Sequence, residues 1–239
     1  MTSVLSPGGG DRARAAAPAS GRCGACRMPD TGLCAACVAT TARLPAARVV
    51  AGRELRAAAV YEGAVRRVVL EAKTRGVTAP LAPAGRLWAP VLAATVRRVA
   101  ASGTVPLVVA IPERRGLGSR GFSVPELLLR GAGCAVTPVL RWSRSTADQI
   151  GLGRAQRARN LDGAFGVRRR GVPSPEGRSV ILVDDVVTTG ATLRAGVAAL
   201  ERHGWTVGGI TAFACAEPRG SDESATPRHT GMTFDPPGH

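Results

Sequence analysis

The chain has 239 residues, enough for one α/β domain of ordinary size with a small extra module. Its apolar fraction of 45% supports a buried core, yet no apolar run approaches the length of a membrane span. The formal charge is +15, and Lys73 is the only lysine among many arginines; this favours a phosphate-bearing partner, DNA included, unless a GC-rich coding bias produced it.

Residues 1–20 are mostly Gly, Ala, Pro and Arg with no apolar stretch. They are expected to be disordered and do not read as a signal peptide, which implies a cytoplasmic location with thiols reduced or metal-bound. Residues 21–45 then form a candidate module. Cys23-Gly-Ala-Cys26 and Cys34-Ala-Ala-Cys37 are two C-x2-C pairs that can supply four thiolates to one tetrahedral zinc. The short gap between them predicts a compact knob with almost no core of its own, whose folding depends on the metal. The rival is a redox dithiol, which needs only one pair and normally sits beside a βαβ unit.

Residues 55–215 are the expected main domain. Residues 57–61 read as a strand, and a helix follows with Val65, Val68 and Val69 on one face, ending at Gly76. Residues 81–101 are a second helical stretch, where Pro83 and Pro90 predict a break or an N-terminal position. Val105-Pro-Leu-Val-Val-Ala-Ile111 is a buried strand leading into Pro112-Glu-Arg-Arg-Gly-Leu-Gly-Ser-Arg-Gly-Phe122. Residues 124–130 read as a helix and 136–140 as a strand.

Gly116, Gly118 and Gly121 fit a dinucleotide-binding G-x-G-x-x-G pattern, but residues 112–115 separate strand from glycines and no ribose-binding acid lies between Glu126 and Asp148. The better reading is a turn that carries Arg114, Arg115 and Arg120 toward a pyrophosphate. Across 110–170 twelve arginines face four acids (Glu113, Glu126, Asp148, Asp162), a net of +8. Periodicity fades from 142 to 170, which reads as a long loop with some helix. Within it Arg154, Arg157 and Arg159 cluster near Asn160: either they close over a phosphorylated ligand, or they are a solvated basic face.

After a turn at 173–177 comes Ser179-Val-Ile-Leu-Val-Asp-Asp-Val-Val-Thr-Thr-Gly-Ala-Thr-Leu193. Val180 to Val183 are a buried strand ending in Asp184 and Asp185. Thr188-Thr189-Gly190 is a small-residue turn, and Leu193, Val197 and Leu200 recur at helical spacing until Gly204. Free N–H groups at such a helix start favour a phosphate. The carboxylates beside it can accept from sugar hydroxyls or hold a metal through water. A P-loop is excluded, because the one lysine follows Ala72 rather than a glycine. Residues 206–214 give a last strand, and 216–239 an expected disordered tail. Cys134 and Cys215 read as core, and His203 as a surface residue at a helix end.

The 179–193 stretch resembles the phosphoribosyl-pyrophosphate (PRPP) motif of the type I phosphoribosyltransferases. That resemblance implies an α/β core, a mostly parallel sheet flanked by helices. It implies that Asp184 and Asp185 meet the ribose hydroxyls as the catalytic pair, that Thr188, Thr189, Gly190, Ala191 and Thr192 wrap the 5-phosphate, and that Arg114 and Arg115 take the pyrophosphate with Mg2+. Over residues 23–214 the chain resembles the ComF family, associated with competence and DNA uptake. The likeness rests on the four cysteines, Tyr61, Lys73-Thr-Arg-Gly76, Ile111-Pro, Arg120-Gly-Phe122, Arg144-Ser-Thr-Ala-Asp-Gln149, Arg159-Asn160-Leu with Phe165, and the PRPP motif. It implies phosphoribosyl transfer to an unidentified nitrogen acceptor, or PRPP binding without turnover beside DNA or competence proteins; a dimer is plausible. Two departures stand out: Ser123-Val124 replace the family's Asn-Gln, and Thr188 occupies the general-base position of purine salvage enzymes.

Overall fold

A computed structural model of the chain describes residues 21–30, 32–41, 47–113, 121–143 and 163–217. A short helix, α1 (Ala35–Thr40), precedes a hairpin of β1 (Arg48–Val50) and β2 (Arg53–Val60). Then come α2 (Gly63–Arg75), α3 (Leu81–Ala100), β3 (Val105–Ala110) and α4 (Val124–Gly131). A two-strand ribbon, β4 (Leu140–Trp142) and β5 (Phe165–Val167), is followed by β6 (Arg178–Val187), α5 (Ala191–Arg202) and β7 (Thr206–Cys215).

The main sheet has the order β1-β2-β7-β6-β3. β2, β7, β6 and β3 are mutually parallel, and β1 alone is antiparallel. Parallel strands buried on both faces need apolar side chains on both, and β6 supplies them. Ile181 and Val183 join a core with Val68, Trp88, Leu128 and Phe213 on the α2–α4 side. Val180 and Leu182 point the other way, into a core with Phe165, Leu193, Val197 and Leu200 beneath α5. The molecule is thus a three-layer α/β/α sandwich. Inside it, Trp88 is fully buried and its indole N–H donates to Thr211 Oγ1 at 3.0 Å, which satisfies the one polar atom of that ring.

The structure corrects several boundaries. Pro90 does not break α3, which runs unbroken from Leu81 to Ala100. Pro90 and Arg86 are both exposed, so water can take up the carbonyl that the proline leaves without a donor. The strand expected at 136–140 begins only at Leu140; Pro138 removes a ladder donor within that run, and a single N–H, from Thr137 to the Val108 carbonyl, ties it to β3. β6 does not stop at the acid pair. It continues through Val187, with Asp184 opposite Ala212 and Val187 opposite Cys215 on β7. The hairpin partner β1 was not read from the sequence at all. Its Ala51-Gly52 turn has both φ values positive, 50° and 71°, as a two-residue hairpin of this hand requires.

This topology fixes where a ligand can bind. From β3 the chain crosses to α4 on one face, whereas from the adjacent β6 it crosses to α5 on the other. Connections that diverge from two neighbouring parallel strands leave a crevice at their carboxyl ends. Residues 111–113 and 184–190 border that crevice.

Candidate functional site

The alternation of β6 separates the two acids. Asp185 shares the face of Ile181 and Val183, toward α2, and is only 3% exposed. Asp184 shares the opposite face and is partly buried. Lys73, in the last turn of α2, brings its Nζ to 2.6 Å from Asp185 Oδ2. The N–H of Asp185 donates to Asp184 Oδ1 at 2.9 Å, which fixes the first carboxylate against its neighbour's backbone.

These contacts set the charges. Burial and the adjacent charge of Asp185 push the Asp184 carboxyl well above the ordinary aspartate value, against the pull of Lys73. Burial alone would lower the Lys73 ammonium, but the charge and hydrogen bond of Asp185, with Asp184 and Glu113 beyond, raise it. Tyr61, at the carboxyl end of β2, is raised by burial.

Beyond β6 the loop turns sharply at Gly190, whose φ of 76° favours glycine. A Cβ there would lie 3.0 Å from Val50 Cγ2, so the β1 strand also demands the small residue. Arg48 of β1 donates to the Thr188 carbonyl at 2.8 Å, and Arg194 of α5 donates to the Thr189 carbonyl at 3.1 Å. With their carbonyls tied back by two arginines, residues 188–190 lead into the first turn of α5. There the N–H groups have no carbonyl one turn earlier. Thr189 Oγ1 accepts from the Ala191 N–H at 3.3 Å. Backbone donors, the positive end of a 12-residue helix and two threonine hydroxyls are chemically suited to an anion beside two carboxylates.

Across the crevice, Trp142 donates to the Pro112 carbonyl at 2.7 Å, and Glu113 Oε2 accepts from the Val124 N–H at 3.0 Å. Ser123, where the family resemblance would place Asn, caps α4 by accepting from the Glu126 N–H. Gly76 ends α2 beside the ring of Phe122, which lies 3.9 Å from where a Cβ would stand. Arg114, Arg115 and Arg120, and the cluster of Arg154, Arg157 and Arg159, lie outside the described residues, as do residues 1–20 and 218–239 of the expected disordered termini.

The four cysteines do come together. The sulfurs of Cys23, Cys26, Cys34 and Cys37 all lie within 4.8 Å of one another, with Cys26 and Cys34 at 3.6 Å. Zn–S bonds of about 2.3 Å in a tetrahedron need sulfurs about 3.8 Å apart, so the donor set fits zinc. The N–H groups of Ala25 and Cys34 each donate to Cys23 Sγ at 3.4 Å, as in a metal knuckle. Burial works against the Cys23 thiolate, but backbone donors outweigh it and bring the thiol down to about 6. Cys37 is pushed up by burial and by the neighbouring sulfurs. Sulfurs this close cannot all ionise without a cation among them.

Sequence reasoning missed Lys73, Arg48 and Arg194 as parts of this site. Lys73 carried two signals, as the chain's only lysine and as the first residue of the Lys73-Thr-Arg-Gly76 motif of the resemblance, but neither pointed to Asp185. The two arginines carried none in a chain so rich in them. A family model described as a phosphoribosyl transferase domain matches residues 77–228. No curated protein matches the chain.

Proposed function

The chain belongs to the phosphoribosyl transferase domain family, and from that premise we propose that it binds PRPP with Mg2+ and transfers its phosphoribosyl group to a nitrogen acceptor. The observation that carries this reading is the acid pair on β6, set beside the open N-terminus of α5 at the sheet's switch point. Asp184 and Asp185 accept from the ribose 2- and 3-hydroxyls. Thr188, Thr189, Gly190, Ala191 and Thr192 enclose the 5-phosphate. Arg114 and Arg115, which follow β3 in sequence, hold the pyrophosphate, and Mg2+ supplies further charge neutralisation there. In the transfer, the bond from ribose C1 to pyrophosphate oxygen breaks and a bond from C1 to nitrogen forms. The nitrogen's proton passes to solvent, and positive charge on the sugar is transient. The protein's part is positioning and fixed charge.

Within the family the chain is read as a ComF-type protein with a zinc-binding knob. The tetrathiolate cluster supports this, as does the meeting of Gly76 with Phe122, which joins two of the motifs of that resemblance. Thr188 cannot act as a base at neutral pH, which favours an acceptor other than a purine. It also keeps a second reading open, that of a PRPP-binding protein without turnover.

Calorimetry with PRPP and Mg2+ tests the binding step, and pyrophosphate release tests turnover. Charge-assisted hydrogen bonds contribute about 1.5–3 kcal/mol each, so Asp184→Asn with Asp185→Asn should weaken PRPP binding by roughly a hundredfold or more. Wild type that gives no heat at millimolar PRPP, or a double variant that binds equally well, overturns the reading.

A further inference from the structure

We propose that Lys73 is a positioning residue of this site: clamped on Oδ2 of Asp185 at 2.6 Å, it holds that buried carboxylate in place to accept a ribose hydroxyl. The inference rests on the PRPP reading and deepens it.

The Asp185 side chain is 4% exposed, and a charged group taken so far from water is costly to bury and free to swing unless a cation meets it. Lys73 is the cation that meets it, arriving from another element of the fold. The same ammonium feels Asp184 and Glu113, and Tyr61 feels Lys73, Arg66 and Asp185, so Lys73 stands among the charged groups on both sides of the crevice. Its side chain is 33% exposed, so it is pinned at the bottom and open at the mouth.

The helix that delivers Lys73 is held from behind. Arg67 of α2 donates to the Ala25 carbonyl, and Glu71 pairs with Arg27 at 2.9 Å. Both partners lie in the four-cysteine knob. Arg67 and Glu71 are one turn apart on one face, and Lys73, two residues beyond Glu71, projects from the other side. α2 is therefore wedged between knob and sheet, which restricts where the ammonium can go.

The test is a ligand series on Lys73→Met and Lys73→Arg, each also made in an Asp185→Asn background. The ligands are PRPP with Mg2+ and ribose 5-phosphate, measured by calorimetry. If Lys73 acts through Asp185, Lys73→Met weakens both ligands by the same factor, roughly tenfold or more, because both carry the ribose diol. Arg keeps the charge and restores binding to within about threefold of wild type. In the Asp185→Asn background Lys73→Met then has little further effect, the non-additivity expected of two groups that work as one. Lys73→Gln carries the same expectations should Lys73→Met not fold, as judged by circular dichroism. Three results overturn the proposal while leaving PRPP binding intact: an unaffected variant, a loss confined to PRPP, or additive losses in the double variant. A wild type that binds neither ligand overturns the PRPP reading and this proposal with it.

Discussion

Asp184 sits partly buried beside Asp185, and burial together with that charge pushes its carboxyl well above the 3.8 of an ordinary aspartate. A carboxyl raised in the folded state contributes stability below its unfolded value and loses it as pH rises through the folded one. At neutral pH and above, the ligand-free protein is therefore less stable than it would be with a neutral group there. Asp184→Asn should raise the melting temperature at pH 8 by a few degrees, about 1 kcal/mol, the usual size of relief at a functional site. The gain should shrink steadily as pH falls from the raised folded value toward 3.8, and vanish below it, where the carboxyl is protonated in the folded and the unfolded chain alike. Thermal melts of the two proteins from pH 5 to pH 8 decide it, and a variant that melts lower than wild type at pH 8 contradicts the argument. At this scale the sequence was informative where chemistry and order coincide, as at Asp184, Asp185 and Gly190. It singled out Lys73 but not its pairing with Asp185, because only the fold brings the end of α2, more than a hundred residues away in sequence, onto that carboxylate.

Among the elements, α3 and α4 pack with their backbones in direct contact. A Cβ on Gly85 of α3 would fall on the Leu128 carbonyl oxygen, and one on Gly131 of α4 would fall on that of Ala82. The backbones meet there with nothing between them, and the packing needs both glycines. In an isolated helix Gly→Ala is stabilising by about 1 kcal/mol. Here Gly85→Ala should reverse that sign and destabilise by about 1–3 kcal/mol, since the helices must separate and Leu81, Leu128 and Leu129 lose their fit. Chemical denaturation reads it directly, and an unchanged or raised midpoint would show that the helices can part at no cost. Helices and central strands were legible because period and burial agree along Val65 to Val69 and Val180 to Val183. The edges were not. β1 is three residues long and its Val49 is 77% exposed, so no apolar pattern marks it. The true end of β6 was hidden because two aspartates read as the close of an apolar run, although Val186 and Val187 beyond them are good strand formers.

For the molecule as a whole, the question is whether the four-cysteine knob is an appendage or part of the folding unit. The sequence suggested a knob with almost no core of its own. In the structure Cys23, Ala25 and Cys37 are buried in the same apolar cluster as Val68, Trp88 and Phe213. Gly24 sits so close that a Cβ on it would run into the Pro80 ring at the start of α3. With the Arg67 and Glu71 contacts added, the knob covers one end of the α2–α3 pair and draws on the domain's core. Metal binding at such a site is folding free energy for whatever is packed on it. Protein purified without a metal-binding tag should carry about one zinc per chain, and Cys34→Ser with Cys37→Ser should remove it. An independent appendage would lose its zinc and leave the melting of the main domain where it was. A shared core predicts that both change: zinc is lost and the cooperative transition falls by several degrees, with α2 the first element to gain amide exchange. Stoichiometric zinc in the double variant would refute the site. Loss of zinc with an unmoved transition would refute the shared core while leaving the site standing.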